Sequence, residues 1–101
     1  MSVSLFVYGT LRDPRIQRKV FGRSAKGTSA VLRGFTRAPV RIDGTRYYCI
    51  KPSRGRHVRG LILLVTKKEL SRIDRYEETT VYARRRVIFA DGTSTWVYSK
   101  K

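Results

Sequence analysis

The groups best placed for chemistry lie in two stretches, one close to the N-terminus and one in the last third of the chain. Leu70, Ile73 and Glu77 are spaced three and then four apart, so on a helix starting near Lys67 a carboxyl closes an otherwise apolar face. Burial of that kind disfavours the ionised form and raises the pKa toward neutrality, where a general acid/base operates. The alternative is a helix that frays before Glu77 and leaves the side chain in water; Glu78, rotated by about 100° along the helical period, is the expected solvated neighbour. Tyr82 and Arg84, two apart on the strand expected next, share a face and supply a hydroxyl and a guanidinium able to grip a carboxylate bidentately. They read equally as a core tyrosine and an arginine that ties down a sheet. Tyr98, near the end of the last expected strand, carries the same two readings.

The N-terminal stretch is Phe6-Val7-Tyr8-Gly9-Thr10-Leu11-Arg12. Leu5 to Tyr8 are the apolar and aromatic residues of a buried strand, and Gly9 is read as a position where a Cβ would clash as the chain turns. Asp13-Pro14 then supplies an N-cap and a proline at the first helical position, so that N–H groups of the loop and the helix start converge on one spot. That spot suits a carboxylate or an oxyanion. An ordinary strand-loop-helix joint has the same residues, and the loop lacks the glycine spacing of the common nucleotide-binding fingerprints.

Taken together, Val7-Tyr8-Gly9-Thr10-Leu11, the Tyr76-Glu77 pair and the Tyr82-Ala83-Arg84 triplet resemble the gamma-glutamylcyclotransferase-like family, in its small gamma-glutamylamine cyclotransferase type. Arg59-Gly60-Leu61 and Trp96-Val97-Tyr98 match that pattern in order and spacing, so the resemblance covers nearly the whole chain. It implies that the first loop binds the gamma-glutamyl or 5-oxoproline part of a ligand, through Tyr8, Gly9, Thr10 and Leu11, and that Glu77 is the acid/base. The implied reaction is an intramolecular acyl transfer that closes 5-oxoproline and releases an amine. One position departs from the pattern: Glu78 stands where relatives often have glycine.

Composition narrows the rest. A chain of 101 residues supports one domain, taken as 1–101. The single cysteine, Cys49, and the single histidine, His57, cannot build a Cys/His metal cluster, and no cofactor is expected. Cys49 reads as a small core residue, and His57 has no evident catalytic partner. No apolar run suits a bilayer span and no signal-peptide pattern opens the sequence, so a cytoplasmic protein without a membrane partner is the expectation, monomeric or weakly dimeric. Lys and Arg number 23 against 7 Asp and Glu, a net charge of +16 at pH 7. Such a field attracts a small anionic substrate and polyanions alike. The rival reading is therefore a basic nucleic-acid-binding domain with an idle pocket, in which Tyr47, Tyr48, Trp96 and Tyr98 stack on bases.

The elements that must position these groups follow from periodicity and turn chemistry. Pro14 to Phe21 reads as a short helix with Ile16 and Val20 on its inner face and Gly22 at its end. A weak strand over 27–35 precedes a hairpin across Asp43-Gly44, and Pro52-Ser53-Arg54-Gly55 reads as a further turn. Val58 to Thr66 is a strand buried on both faces, and Thr66-Lys67-Lys68-Glu69 has capping-box spacing for a second helix reaching Tyr76 or Glu77. Strands over 81–90 and 93–99 meet across Asp91-Gly92. The pattern is α+β and dominated by sheet. The resemblance adds that the sheet is a small mixed-strand β-barrel with two short flanking helices.

Overall fold

The computed structural model describes residues 2–42, 44–77 and 82–100. Five strands and two helices alternate along it: β1 (Ser2–Val7), α1 (Pro14–Phe21), β2 (Thr28–Ile42), β3 (Thr45–Thr66), α2 (Lys67–Tyr76), β4 (Tyr82–Ile88) and β5 (Ser94–Lys100), with a single 3-10 turn over Thr10–Arg12. The strands form one sheet in the order β2-β3-β1-β5-β4. β1 is its centre, antiparallel to β3 and parallel to β5. The expected mixed α+β architecture is present, as a curled sheet open between its β2 and β4 edges, a half-barrel with two helices.

The central strand shows why the sheet has two covered faces. Leu5 and Val7 point toward α1 and α2, where they pack with Phe21, Leu70 and Ile73. Phe6 and Tyr8 point into the curl, against Leu32, Ile50, Val58 and Phe89. Alternation along a strand thus divides one apolar run between two cores. Gly60 on β3 makes the close crossing with β1 feasible, because a Cβ there would lie 2.3 Å from the Val7 carbonyl oxygen.

Both helices have the predicted boundaries. The Asp13 carboxylate accepts the Arg15 N–H at 2.8 Å and α1 ends at Gly22. The Thr66 hydroxyl accepts the Glu69 N–H at 3.1 Å while the Glu69 carboxylate accepts the Thr66 N–H at 2.9 Å, a complete capping box. The buried face of α1 is rotated by one residue from expectation: Gln17 and Phe21 are buried, with Ile16 and Val20 half-buried beside them.

The middle of the chain corrects the sequence reading. No reversal occurs at Pro52-Ser53-Arg54-Gly55; β3 continues through it for 22 residues. The register instead jumps, Arg33 pairing with His57 and Phe35 with Pro52, so residues 53–56 bulge opposite Gly34. Gly34 and Gly55 take φ of 85° and 79°, backbone that a side chain resists, which is how a turn-like sequence becomes a bulge. Pro52 is tolerated because β1 pairs with β3 only from Leu61 onward, leaving the other side of β3 without a strand there. β2 and β3 meet across residues 43–44 with Ile42 opposite Thr45; Asp43 lies outside the described residues, as do Glu78 and the first residue of the strand expected from 81.

Candidate active site

The curl of the half-barrel, the loop after β1 and the C-terminal end of α2 enclose a cavity of about 830 Å³. Tyr8, Gly9, Thr10, Leu11, Glu77, Tyr82 and Tyr98 all line it. Seven positions named from the sequence therefore share one space, although 66 residues separate the first stretch from the second.

Local chemistry fixes the loop. The Gly9 carbonyl accepts both the Arg12 N–H and the Arg12 Nε at 3.1 Å, and the Asp13 N–H donates to the Thr10 carbonyl at 3.0 Å. Thr10 and Leu11 open the 3-10 turn, so their N–H groups precede any acceptor within it. Buried Gln17 anchors the loop from behind: its Nε2 donates to the Leu11 carbonyl at 2.8 Å and its Oε1 accepts the Ala25 N–H at 2.7 Å. One expectation fails here. Gly9 has φ −128° and ψ −138°, and a Cβ built on it meets nothing within 4 Å. Neither a clash nor left-handed backbone demands glycine; a side chain would instead project into open space beside the cavity.

Glu77 is the C-cap of α2, its N–H bonded to the Ile73 carbonyl at 2.9 Å. The helix holds to its last turn, so Leu70, Ile73 and Glu77 do align, and burial pushes the Glu77 carboxyl up to about 7. Its carboxylate accepts no hydrogen bond among the described residues. Neighbouring tyrosines frame it. Thr10 Oγ1 and the Tyr76 hydroxyl share a hydrogen bond of 2.6 Å, joining the loop to the helix end. The Tyr8 hydroxyl donates to the Tyr98 carbonyl at 2.7 Å, and the Tyr98 hydroxyl donates to Asp74 on α2. Burial holds the Tyr8 and Tyr98 hydroxyls protonated well above the usual tyrosine range, and it pushes Tyr82 up to about 12 with the Glu77 charge adding to it.

Tyr82 spans the open side of the half-barrel. Its hydroxyl donates to the Tyr48 carbonyl at 2.7 Å and its ring meets Tyr47 edge-on at 6.0 Å, so β4 is stitched to the β2–β3 hairpin through side chains. Arg84 is not brought to the cavity. Its Nε pairs with Asp74 at 2.9 Å and its guanidinium lies 4.9 Å from the Trp96 ring centroid, the sheet-fixing role of its two readings. The carboxylate-gripping expectation for Arg84 is corrected accordingly. The pleat gives Arg84 the same face as Tyr82, but two residues farther along β4 that face meets Asp74 in the last turn of α2 and Trp96 on β5 instead of the cavity. Trp96 has Arg84 and Arg86 against its ring, Tyr98 is buried and Tyr47 packs on Tyr82. Of the four aromatics weighed as a base-stacking platform, Tyr47, Tyr48 and Tyr98 line the cavity, and Trp96 lies apart from it against Arg84 and Arg86. Cys49 is buried, and His57 lies on the outer face opposite Arg33.

Sequence reasoning missed several contributors. Arg37 and Arg46 line the cavity from the hairpin, where a continuous β2–β3 pairing was not foreseen. Gln17 had a signal, a polar residue four before Phe21 on a helix's apolar face. Asp74 had one in its position three residues before Glu77, able to reach a neighbouring strand. Among the described residues no three His, Cys, Asp or Glu side chains come together as a metal site requires, and no helix is long and apolar enough to cross a membrane.

Comparison with known proteins agrees with this geometry. The family model described as gamma-glutamyl cyclotransferase, AIG2-like, matches residues 5–101. AIG2-like protein A of Arabidopsis thaliana is 38% identical over 84 residues, 77% of this chain and 50% of that protein. The chain spans about half the length of the curated relatives it matches. A solution structure of an Arabidopsis thaliana protein superposes with a TM-score of 0.80 at 32% identity, covering 98% of this chain and 68% of that one. A gamma-glutamyl cyclotransferase structure superposes with a TM-score of 0.80 at 19% identity, covering 100% of this chain and 68% of that one, a likeness of fold alone. On the family match across 5–101, the chain belongs to the gamma-glutamyl cyclotransferase, AIG2-like family.

Proposed function

We propose that the cavity carries out gamma-glutamyl cyclotransfer, with Glu77 as base and then acid. The observation that carries this reading is Glu77 itself, a carboxyl that burial pushes up to about 7 on the wall of the cavity that the Tyr8–Leu11 loop also lines. In the reaction the α-amine of a gamma-glutamyl compound attacks its own side-chain carbonyl carbon. A C–N bond forms, the amine proton passes to the Glu77 carboxylate and negative charge collects on the carbonyl oxygen. Collapse breaks the original C–N bond, Glu77 returns the proton to the departing nitrogen, and 5-oxoproline and a free amine remain. Because nucleophile and electrophile share one molecule, the protein's contribution is conformation, proton transfer and charge stabilisation. The N–H groups of Thr10 and Leu11 are the donors offered to the carboxylate or the oxyanion, and open space at Gly9 lets a ligand approach the backbone closely. Tyr82 lines the same cavity with its one hydroxyl proton committed to the Tyr48 carbonyl, so its oxygen is offered to the ligand as an acceptor.

The test is Glu77→Gln, assayed for amine release from gamma-glutamyl compounds with the fold monitored by circular dichroism. Loss of a positioned general base lowers turnover by about 10²–10⁴-fold. Undiminished turnover in a folded variant removes Glu77 from the mechanism.

A second reading has its own observation: the outer face of β2 and β3 gathers Arg33, His57 and Arg59 around a shallow depression, on a chain of net charge +16. This face would bind nucleic-acid phosphates without sequence preference. Absence of binding to random DNA at about 50 mM salt, where counterion release favours association, disposes of it.

A further inference from the structure

We infer that Asp74 is a positioning residue for Glu77: bound at once to Arg84 on β4 and Tyr98 on β5, it pins the last turn of α2 to the sheet and fixes where the Glu77 carboxyl meets the cavity. The anchor stands on its own geometry, and only the chemistry that Glu77 then performs rests on the cyclotransferase reading. α2 has 10 residues, a length at which a helix owes its stability to packing more than to itself. Leu70 and Ile73 supply that packing, both of them buried in the core beneath the helices. Beyond Ile73 come Asp74, Arg75 and Tyr76, and of these Arg75 and Tyr76 face solvent. Helix ends fray at such a turn, because the last carbonyls have no partners within the helix. Glu77 hangs from it through its N–H, which donates to the Ile73 carbonyl at 2.9 Å. The bond between Tyr76 and Thr10 is exposed, so water competes for both hydroxyls.

Asp74 closes that gap. One of its carboxylate oxygens accepts both the Arg84 Nε, at 2.9 Å, and the Tyr98 hydroxyl. Local helix energetics argue against an aspartate there. Its helix propensity is low, and a carboxylate in the last turn faces the negative end of the macrodipole. What holds it is the sheet. Tyr98, itself buried, extends the anchor to the other wall of the cavity: its carbonyl accepts the Tyr8 hydroxyl at 2.7 Å, and Tyr8 leads directly into the Gly9 loop. One residue of β5 therefore ties together the loop and the helix end that both line the cavity. Asp74 and Glu77 are three apart, so their Cβ atoms are neighbours on the helix surface at about 5–6 Å. The Tyr98 hydroxyl senses the whole group: burial and then Asp74 hold its proton, the Glu77 charge adds to that hold and the Arg84 charge opposes it. A turn released from Arg84 and Tyr98 carries Glu77 with it, and a misplacement of about 1 Å can cost about 10²-fold in rate.

Asp74→Ala and Asp74→Asn separate anchoring from charge. Both remove the same negative charge, and only asparagine keeps an oxygen that can accept from Arg84 and Tyr98. The readout that needs no substrate is amide hydrogen exchange at Glu77, measured by NMR beside that of Ile73. Anchoring predicts exchange at Glu77 about tenfold or more faster in D74A, with Ile73 unchanged and D74N close to native. Helix propensity and the relieved macrodipole predict the opposite sign, slower exchange in D74A. Equal or slower exchange at Glu77 in D74A therefore overturns the anchor. In amine release, D74A should lower kcat about ten- to a hundredfold with KM within about threefold of native, since the loop still binds while the base is displaced, and D74N should recover most of that loss. Equal kcat in the two variants overturns the positioning role and leaves Glu77 as the base of a working cyclotransferase. Exchange at Glu77 in the native chain as fast as at a frayed end overturns the anchor without any variant, so the test survives a variant that fails to fold. No amine release by the native chain, with exchange at Glu77 faster in D74A and restored in D74N, overturns the cyclotransferase reading and leaves the anchor standing.

Discussion

At the scale of single residues, Glu77 couples activity and stability to pH in opposite directions. Burial penalises its charge and pushes the carboxyl up to about 7 in the folded chain from an ordinary 4.5. Between those values the folded state holds a proton that the unfolded chain has released, so stability is fully present below about 4.5 and declines as pH rises through 7. A difference of that size is worth up to ~3 kcal/mol. Glu77→Gln, neutral throughout, should lack this loss and be the more stable protein at pH 8, with the two converging near pH 4; urea midpoints at the two pH values measure it. Parallel pH profiles for native and variant would mean the carboxyl is solvated. Turnover needs the carboxylate as base, so kcat/KM should rise with pH through a limb near 7 that the variant lacks. Glu77 was legible in the sequence because helical spacing alone puts it on the Leu70–Ile73 face. Arg84 was not, since a shared face with Tyr82 does not reveal that Asp74 and Trp96 lie closer than the cavity.

At the scale of elements, the loop after β1 is held by parts that make no contact with chemistry. Gln17 satisfies the Leu11 carbonyl and the Ala25 N–H simultaneously from a buried position. Gln17→Leu keeps the volume but orphans both backbone groups, at about 1–3 kcal/mol for each left unsatisfied. Denaturant midpoints should fall accordingly, and kcat should fall with them even where the protein remains folded, because the Thr10 and Leu11 amides lose their support. A loss of stability with kcat intact would make Gln17 a core residue only. Thr66→Ala removes one half of the α2 capping box and should cost about 1 kcal/mol. Capping signals are local, which is why both helix starts were predicted to the residue. The β3 bulge is not local: Pro52 to Gly55 has turn composition, and only the pairing of 35–42 with 45–52 on one side and 28–33 with 57–62 on the other keeps the strand running through it.

At the scale of the whole molecule, one field produces two opposite responses to salt. Folding gathers 23 basic side chains against 7 acidic ones within a Cα radius of gyration of 13.1 Å, and self-repulsion at net +16 opposes compaction. The three ion pairs of the described residues offset little of it: those of Asp13 and Glu69 lie at the surface, where a pair contributes about 0–1 kcal/mol. Screening should weaken the repulsion more than the pairs, since repulsion sums over many distant charges and the Debye length falls from about 30 Å at 0.01 M to about 3 Å at 1 M. The melting temperature should therefore rise with sodium chloride, each kcal/mol gained being worth about 4–8 °C in a domain of this size. The same screening removes long-range attraction, so kcat/KM for a gamma-glutamyl compound of net negative charge should fall over the range in which Tm climbs, while one of no net charge responds less. Calorimetric melting and steady-state kinetics in one salt series measure both. A Tm that falls with salt would mean that specific ion pairs outweigh the net charge. A kcat/KM insensitive to salt would mean that the basic residues do not steer the substrate from a distance.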